Sequence, residues 1–324
     1  MTRWLITGGC GFIGTNLVRV LLEEGADPAD IRVLDNLSVG AREDLARVAD
    51  LGPGGVELIE GDIRDAAAIG AAAEGRDVIV HLAGWTGVAP SVEDPLSDCE
   101  NNVIGTLRVL EAARATGARR VVFASSGAPV GLVEPPIVET LAPNPASPYG
   151  ASKLAAGGYC LAYANCFGLE TVALRFGNVY GPYSDKKSSV VAKFVLEHLR
   201  GAPSTIHGDG TATRDFVHVE DLIAAILAAA RTDPANTGEI YQIATNSETN
   251  VRRIAELIDA ASRELGLGAF TPEMGPPRQG DVPRNFSDIT KARTRLGWEP
   301  KRELAEGVRD TLIWHARRLG RLPV

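Results

Sequence analysis

A tyrosine and a lysine four residues apart, Tyr149 and Lys153, carry the side chains in this sequence best suited to proton transfer. On a helix, positions i and i+4 share a face, so the Lys153 ammonium would lie near the Tyr149 phenol oxygen. A free phenol has a pKa of about 10, and a neighbouring cation favours the phenolate and lowers that pKa. The pair therefore predicts a general acid/base.

A glycine-rich segment near the start of the chain is typical of phosphate binding. Gly8, Gly11 and Gly14 follow a short apolar run and precede an apolar-periodic stretch, which predicts strand, tight turn and helix. Glycines let a diphosphate approach the backbone, and the helix N-terminus offers it free N–H groups. A second apolar strand ends at Asp35, where a dinucleotide fold places the carboxylate that binds the adenosine ribose. Because this carboxylate would repel a 2′-phosphate, NAD is favoured over NADP.

Strand and helix patterns alternate through the first part of the chain. Apolar runs predict strands over 31–35, 56–62, 77–83, 120–125 and 170–175, and helical spacing predicts helices over 103–115 and 151–167. Strands separated by helices of this length imply right-handed βαβ crossovers and an α/β, doubly wound parallel Rossmann sheet. Ligands bind beyond the carboxyl ends of the strands of such a sheet. The polar residues expected at those ends are Asp35, Asp62, His81, Ser126 and Asn178.

The second part of the chain has a different pattern. It predicts helices over 190–200, 217–230 and 250–265, one more strand of the main sheet over 238–244, a loop over 272–280 and a final short helix over 289–298. The chain would thus return to the main sheet between two stretches of a smaller, discontinuous C-terminal substrate domain. We expect an NAD-binding domain of residues 1–178 and 217–246, and a substrate domain of residues 179–216 and 247–324.

The composition narrows the classes of partner and compartment. A net charge of −8 over 324 residues gives no basic footprint for nucleic acid. No apolar stretch is long enough to span a bilayer, and glycines and polar residues interrupt the N-terminal segment, unlike a signal peptide. The expected location is cytoplasmic, where Cys10, Cys99, Cys160 and Cys166 would be small buried apolar residues. Neither these cysteines nor the five histidines have the spacing of a metal site, so no metal is expected.

Several short motifs together carry a resemblance to a known family. They are GGCGFIG at 8–14, GDIR at 61–64, HLAG at 81–84, NNVIGT at 101–106, SS at 125–126, YGASK at 149–153, RFGNVYGP at 175–182, TRDFVH at 213–218 and RQGDV at 278–282. In these motifs and in their order the chain resembles the extended short-chain dehydrogenases/reductases. It is most similar there to the nucleotide-sugar epimerase/dehydratase family, and within it to the UDP-glucose and UDP-glucuronate 4-epimerases.

The resemblance implies a nucleotide-sugar substrate, an NAD cofactor and a catalytic set of Ser126, Tyr149 and Lys153. In the family the tyrosine takes the sugar hydroxyl proton, the serine hydrogen-bonds the same oxygen, and the lysine also binds the nicotinamide ribose. Besides Tyr149 and Lys153, the implied cofactor-binding residues are Gly8, Gly11, Phe12, Ile13, Gly14, Asp35, Asn36, Asp62, Ile63, Leu82, Ala83, Gly84 and Asn102. The implied substrate-binding residues are Thr86, Ser126, Asn178, Ser189, Val190, His207, Arg214, Arg278 and Asp281.

The chemistry of the arginine side chain supports two of these implied roles. Arg214 and Arg278 are the candidates for the substrate diphosphate, because a guanidinium can grip phosphate oxygens in a planar fork. His81 is expected to be a structural strand-end histidine.

The helices over 103–115 and 151–167 resemble the pair that forms a four-helix dimer interface in the family, so a homodimer is expected.

Departures from the family pattern narrow the reaction. The family's dehydratases follow the catalytic serine or threonine with Asp and Glu, and its decarboxylases keep the Glu, whereas this chain has Gly127 and Ala128. Without those carboxylates, dehydration and decarboxylation lack their proton-transfer groups. The remaining set could oxidise C4 to a ketone and return the hydride to the other face, which implies a 4-epimerase. Pro129 and Val130 replace a tyrosine-containing segment of the relatives, and this leaves the sugar open.

Several alternatives stay open at this point. The sugar could be a hexose (glucose/galactose) or a hexuronate (glucuronate/galacturonate), whose carboxylate Lys186 and Lys187 could contact. Uronate epimerases often carry Thr and Arg where this chain has Asn178 and Asp185. A net reductase would prefer NADPH, which Asp35 opposes. A non-catalytic nucleotide-sugar sensor would be expected to have lost the Tyr-Lys pair.

Overall fold

Strands and helices alternate along the chain, as the sequence pattern predicts. The computed structural model describes residues 2–277 and 283–323. The strands are β1 (Trp4–Thr7), β2 (Ile31–Asp35), β3 (Glu57–Glu60), β4 (Val78–His81), β5 (Arg120–Ser126), β6 (Glu170–Phe176), β7 (Asn178–Tyr180), β8 (Thr205–His207), β9 (Thr213–Arg214), β10 (Phe216–His218), β11 (Glu239–Ile243), β12 (Thr249–Asn250) and β13 (Glu273–Gly275). The α-helices are α1 (Phe12–Glu23), α2 (Arg42–Ala46), α3 (Ala66–Ala73), α4 (Val88–Glu93), α5 (Pro95–Cys99), α6 (Gly105–Thr116), α7 (Pro148–Phe167), α8 (Val190–Arg200), α9 (Val219–Arg231), α10 (Val251–Glu264) and α11 (Leu304–Arg318).

The main sheet of the described residues has seven strands in the order β11-β6-β5-β4-β1-β2-β3. Every neighbouring pair in it is parallel. The other strands form short pairs, β10 with β7, β12 with β9 and β13 with β8. This architecture confirms the α/β, doubly wound parallel sheet, and it brings the carboxyl ends of β1, β2, β4 and β5 to one edge.

Alternate side chains of the strands enter two separate apolar layers, as the pleat of a β-strand requires. Ile6 and Val33 are buried on one face of the sheet with residues of α1 and α9. Leu5 and Ile79 are buried on the other face with residues of α6 and α7. A third buried cluster, which joins α8, α10 and α11, lies apart from the sheet layers. The residues of this cluster come from two stretches of the chain, one before α9 and one after β11.

The C-terminal segment differs from the prediction. The stretch predicted as the final helix holds only a short helical turn and a π-helical turn (Ala292–Leu296), and the longer helix α11 follows it. Val308, Leu312 and Ala316 of α11 are fully buried in the third cluster, so this helix completes that core. The segment predicted as a loop over 272–280 contains β13 in its described part.

The predictions for the helix over 103–115 and for the burial of the cysteines need correction. The helix predicted over 103–115 begins with a π-helical turn (Glu100–Ile104), and α4 and α5 precede it without having been predicted. Cys10 and Cys160 are buried as predicted, whereas Cys99 and Cys166 are exposed. Within the described part of the chain, no helix combines the length and apolar character needed to cross a bilayer.

Candidate active site

The turn between β1 and α1 requires glycine for steric reasons. Gly8 has a φ of +72°, and a β-carbon there would lie 2.7 Å from the Ala83 nitrogen. A β-carbon on Gly14 would lie 2.4 Å from the Gly9 α-carbon. Gly11 is the N-cap of α1 and provides no side-chain cap, so the first N–H groups of the helix stay available. Gly8, Gly11 and Gly14 line one cavity together with Phe12 and Ile13, and their binding of phosphate stays a prediction.

Asp35 stands at the end of β2 beside this turn. Its carboxylate accepts hydrogen bonds from the Cys10 backbone N–H at 2.9 Å and from the Leu37 backbone N–H at 2.8 Å. Burial raises the pKa of Asp35, while these two N–H groups and the Lys186 charge oppose the rise. The carboxylate lines the cavity beside Asn36, at the position predicted for the adenosine ribose.

Asp62 lies next to the cavity and is hydrogen-bonded by Arg64 and Asn36. Arg64 donates to both carboxylate oxygens, at 3.0 and 2.8 Å, and this hydrogen bonding lowers the pKa of Asp62 to about 2. The Asn36 amide donates to the same carboxylate at 3.2 Å. Ile63 lines the cavity and Asp62 is not part of the lining, so its predicted contact with adenine stays a prediction. Leu82, Ala83 and Gly84, which follow β4, also line the cavity.

Helix α7 begins beside the carboxyl end of β5 and places Tyr149 in the cavity. Ser147 caps the helix, because its hydroxyl accepts a hydrogen bond from the Gly150 N–H at 3.1 Å. The Tyr149 N–H donates to the Ser91 hydroxyl at 3.1 Å, which fixes the first turn. Ser126, at the end of β5, lines the same cavity and accepts from the Ala128 N–H at 3.1 Å.

The electrostatics of Tyr149 differ from the sequence-based expectation. Burial raises the pKa of its phenol above the ordinary value, Asp98 raises it further, and a hydrogen bond with Ser126 opposes the rise. The prediction that a neighbouring lysine lowers this pKa is therefore wrong for this structure, since the Lys153 ammonium donates to the Ala124 carbonyl at 3.1 Å. Depth of burial outweighs the i, i+4 spacing here.

Lys153 is itself buried, and burial lowers its pKa to about 8. Its ammonium lies 4.9 Å from the centre of the Phe123 ring, and Asp98 favours its charged form. Asn102 holds the helices behind it, because its amide N–H₂ lies 2.9 Å from Asp98 Oδ1 and 3.1 Å from Ser152 Oγ. Asn102 therefore supports the site from behind and is absent from the lining of the cavity.

The predicted substrate-binding residues divide into two groups. Thr86, Asn178 and Ser189 line the cavity near the catalytic set. Val190, His207 and Arg214 belong to α8, β8 and β9, outside that lining. Arg278 and Asp281 lie outside the described residues.

Two of the outer residues lie in short strand pairs. The His207 Nδ1 is 3.1 Å from the Pro276 carbonyl oxygen, and β8 pairs with β13. Arg214 donates to the Thr213 carbonyl at 2.7 Å, and β9 pairs with β12. His81, predicted as structural, is buried between the Thr7 and Thr106 hydroxyls, and burial lowers its pKa to about 3.

The sequence did not reveal a polar bridge beside the cavity. Arg318 of α11 lies 2.8 Å from Asp44 and 3.2 Å from Asp185, and both acids line the cavity. Tyr183, a non-glycine residue with a φ of +66°, packs on the Trp314 ring at 4.6 Å. No motif in the sequence indicates this bridge, because it depends on α11, which the sequence pattern did not predict.

The residues that line the cavity include groups suited to a dinucleotide. It has a volume of about 570 Å³ and runs from the glycine turn and Asp35 to Tyr149 and Lys153. Glycines at positions where a β-carbon would collide leave backbone open to a diphosphate, and a buried carboxylate stands ready for ribose hydroxyls. Among residues 2–277 and 283–323 there is no cluster of His, Cys, Asp and Glu that could hold a metal.

Comparisons with known proteins identify the family of this chain. A family model described as the NAD dependent epimerase/dehydratase family matches residues 4–244. A UDP-glucose 4-epimerase of Mycolicibacterium smegmatis is 41% identical over 316 residues, which is 96% of this chain and 97% of that protein.

Two solved structures share the whole fold. One is a UDP-glucose 4-epimerase of Thermotoga maritima with UDP-glucose, with a TM-score of 0.87 and 35% identity, covering 98% of this chain and 99% of that chain. The other is a UDP-glucose 4-epimerase of Thermus thermophilus in complex with NAD, with a TM-score of 0.85 and 36% identity, covering 97% of this chain and 98% of that chain.

Proposed function

Because the chain belongs to the NAD-dependent epimerase/dehydratase family, we propose that it is a UDP-sugar 4-epimerase that interconverts UDP-glucose and UDP-galactose. Membership of the family confirms the resemblance seen in the motifs and, with it, NAD as the cofactor. The relatives with this activity cover nearly the full length of the chain, which supports the choice of substrate.

One observation carries the choice of reaction. The cavity that holds the glycine turn also holds Ser126, Tyr149 and Lys153, while Gly127 and Ala128 supply no acid or base after Ser126. Dehydration needs carboxylates that protonate and deprotonate the sugar beside the tyrosine. The groups present instead suit oxidation and reduction at one carbon, which is the chemistry of a 4-epimerase.

Each residue of the site has a defined part in this proposal. NAD, when bound, supplies the hydride acceptor for the sugar and returns the hydride to it. Tyr149 takes the proton of the C4 hydroxyl as the 4-keto sugar forms, and returns it when the sugar is reduced on the other face. Ser126 hydrogen-bonds the same oxygen and its hydrogen bond with Tyr149 favours the phenolate, and Lys153 would bind the nicotinamide ribose. Asp35 orients the cofactor by its ribose hydroxyls.

The nucleotide sugar would lie between the two units of the chain. We assign residues 1–178 and 217–246 to the NAD-binding domain, and residues 179–216 and 247–324 to the nucleotide-sugar-binding domain. The third apolar cluster, drawn from both stretches of the second domain, supports this division. Arg214 and Arg278 would then hold the diphosphate from the second domain.

A second candidate substrate is a UDP-hexuronate, and Lys187 favours it. This lysine lines the cavity, and burial lowers the pKa of its ammonium. Lys186, by contrast, donates to the Val39 carbonyl on the cofactor side. A substrate carboxylate would favour the ammonium form that burial disfavours, so Lys187 would suit glucuronate or galacturonate.

Product analysis distinguishes these candidate functions. The purified protein is incubated with UDP-galactose, UDP-glucuronate and dTDP-glucose, and the sugars are identified by NMR. We expect UDP-glucose from UDP-galactose with no net consumption of nicotinamide. Obligate consumption of NADPH would show a reductase, and sugar binding without turnover would show a sensor.

Two lysine variants decide between hexose and uronate. If the uronate is the substrate, Lys187→Met should lower kcat/KM for UDP-glucuronate, since it removes the cation without much change in volume. Lys193→Met is the control, because Lys193 is paired at 3.6 Å with Glu197 on α8, and it should leave both activities unchanged. Turnover of UDP-galactose alone, insensitive to Lys187→Met, would support the hexose.

A further inference from the structure

A buried carboxylate lies behind the proposed catalytic helix. Asp98 of α5 is only 1% exposed. Its Oδ1 accepts a hydrogen bond from the Asn102 amide at 2.9 Å, and its Oδ2 has no hydrogen-bond partner among the described residues. A buried charge with so little compensation is costly unless another charge stabilises it. Asp98 is therefore expected to face a cation.

A polar network connects Asp98 to the first turn of α7. The Asn102 amide is also 3.1 Å from the Ser152 hydroxyl, which donates to the Tyr149 carbonyl at 3.1 Å. The surroundings of Gly84 show that Lys153 lies near the Asn102 end of this network. A β-carbon on Gly84 would lie 2.6 Å from Asn102 Oδ1 and 3.3 Å from Lys153 Nζ, so the amide and the ammonium flank the same glycine.

The Lys153 ammonium has few other partners that favour its charge. In the described residues its hydrogen bond is to the Ala124 carbonyl, and no ion pair within 4 Å reaches it. Lys187, from the loop before α8, opposes its charge. His81 of β4 is kept neutral by burial, which lowers its pKa to about 3.

The remaining titratable neighbours are on the same helix or on α5. Burial raises the pKa of the Cys160 thiol to about 12 and raises that of the Tyr149 phenol, so both are neutral at pH 7. Asp98 is the carboxylate that favours the ammonium form of Lys153.

We propose that Asp98 is a positioning residue for the proposed reaction: the buried counter-charge that, with Asn102 beside both groups, favours the ammonium form of Lys153 in a site whose burial disfavours it. The part of Lys153 in catalysis rests on the proposed function, but its charge state does not. The two can therefore be tested separately.

The charge of Lys153 can be read directly. The chain has six lysines, so ¹³Cε-lysine labelling gives a simple NMR spectrum, and Lys153→Arg assigns the signal. In the parent protein we expect Lys153 to titrate near pH 8. Asp98→Asn should lower this value by about one pH unit, since an opposite charge has been removed. Glu100→Gln is the matched control, because Glu100 is an exposed acid near Arg64, and it should not move the titration.

The readout is chosen because Asp98 also raises the pKa of Tyr149, so activity alone would mix two effects. If epimerase activity is found, the alkaline limb of kcat/KM should move to lower pH in Asp98→Asn and stay in place in Glu100→Gln. Asp98→Ser provides a second charge-removing variant if the first fails to fold. A Lys153 titration unchanged in a folded variant would overturn the proposal, whatever the substrate is found to be.

Discussion

Removing the Tyr149 hydroxyl is the most direct test of the proposed chemistry. Tyr149→Phe keeps the ring that fills the site and removes the oxygen that would exchange a proton with the sugar. General acid–base catalysis by a positioned group contributes about 10²- to 10⁴-fold, or about 3–5 kcal/mol of barrier. We expect kcat to fall by that factor, with NAD still bound.

The structural cost of the same change is small. The phenol is buried and hydrogen-bonds with Ser126, so its loss removes about 1 kcal/mol of stability. The backbone contact of Tyr149 with Ser91 is kept, because it uses the peptide N–H. A midpoint of thermal unfolding within a few degrees of the parent would show that lost activity is not lost fold.

The same helix offers a matched control. Tyr159 is 41% exposed on α7, ten residues after Tyr149, so Tyr159→Phe makes the same chemical change away from the cavity. The assay follows conversion of UDP-galactose to UDP-glucose with a coupled dehydrogenase. Activity should be near normal in Tyr159→Phe. If Tyr149→Phe keeps more than half of the parent turnover, another group transfers the proton and the assignment of Tyr149 fails.

Three further outcomes are expected. Arg278→Ala should raise KM for UDP-sugars by about 10- to 100-fold with less effect on kcat, because a lost charged hydrogen bond costs about 1.5–3 kcal/mol in both ground and transition states; an unchanged KM would remove the diphosphate role. Light scattering should show a homodimer, and Ile104→Glu should convert it to a monomer, since Leu96 and Ile104 are 77% and 43% exposed beside α7; a parent monomer at every concentration would refute this interface. Burial lowers the pKa of His315 to about 4 from 6.5, so on acidification the unfolded chain binds a proton before the folded one does. The stability that the neutral imidazole contributes is therefore full above about pH 6.5 and falls towards pH 4. Between pH 7 and 5 the free energy of unfolding should decrease less in His315→Gln than in the parent, and an equal decrease would assign the acid sensitivity to another group.

The main sheet and the cofactor side of the site were predictable from sequence because local rules determine them. Gly8 and Gly14 must be glycine because a β-carbon at either position would collide with neighbouring backbone, and glycines at this spacing are recognisable in the sequence. Strands buried on both faces, such as β1 and β4, read as continuous apolar runs. Asp35 follows from its place at the end of one of these runs.

The C-terminal side was harder for a physical reason. The buried positions of α11, Val308, Leu312 and Ala316, recur at helical spacing, but Gly307 precedes them and charged residues lie between them, which weakens the pattern. The contact of Arg318 with Asp44 joins residues 274 positions apart. No local rule reaches across that separation, so the bridge beside the cavity appears only in three dimensions.

The error over the Tyr149 pKa shows what a motif leaves out. A Tyr-Lys pair at i, i+4 says that two groups share a helix face, but the sign of the pKa shift depends on desolvation, which comes from the whole fold. Burial acts on both partners in opposite senses, raising the pKa of the phenol and lowering that of the ammonium, and so it disfavours the charged pair twice. Such a site works only if other charges restore the balance. In our proposal Asp98 does so for Lys153 from a neighbouring helix, while it also raises the phenol pKa, and the two effects together would set the pH range in which the pair exchanges a proton.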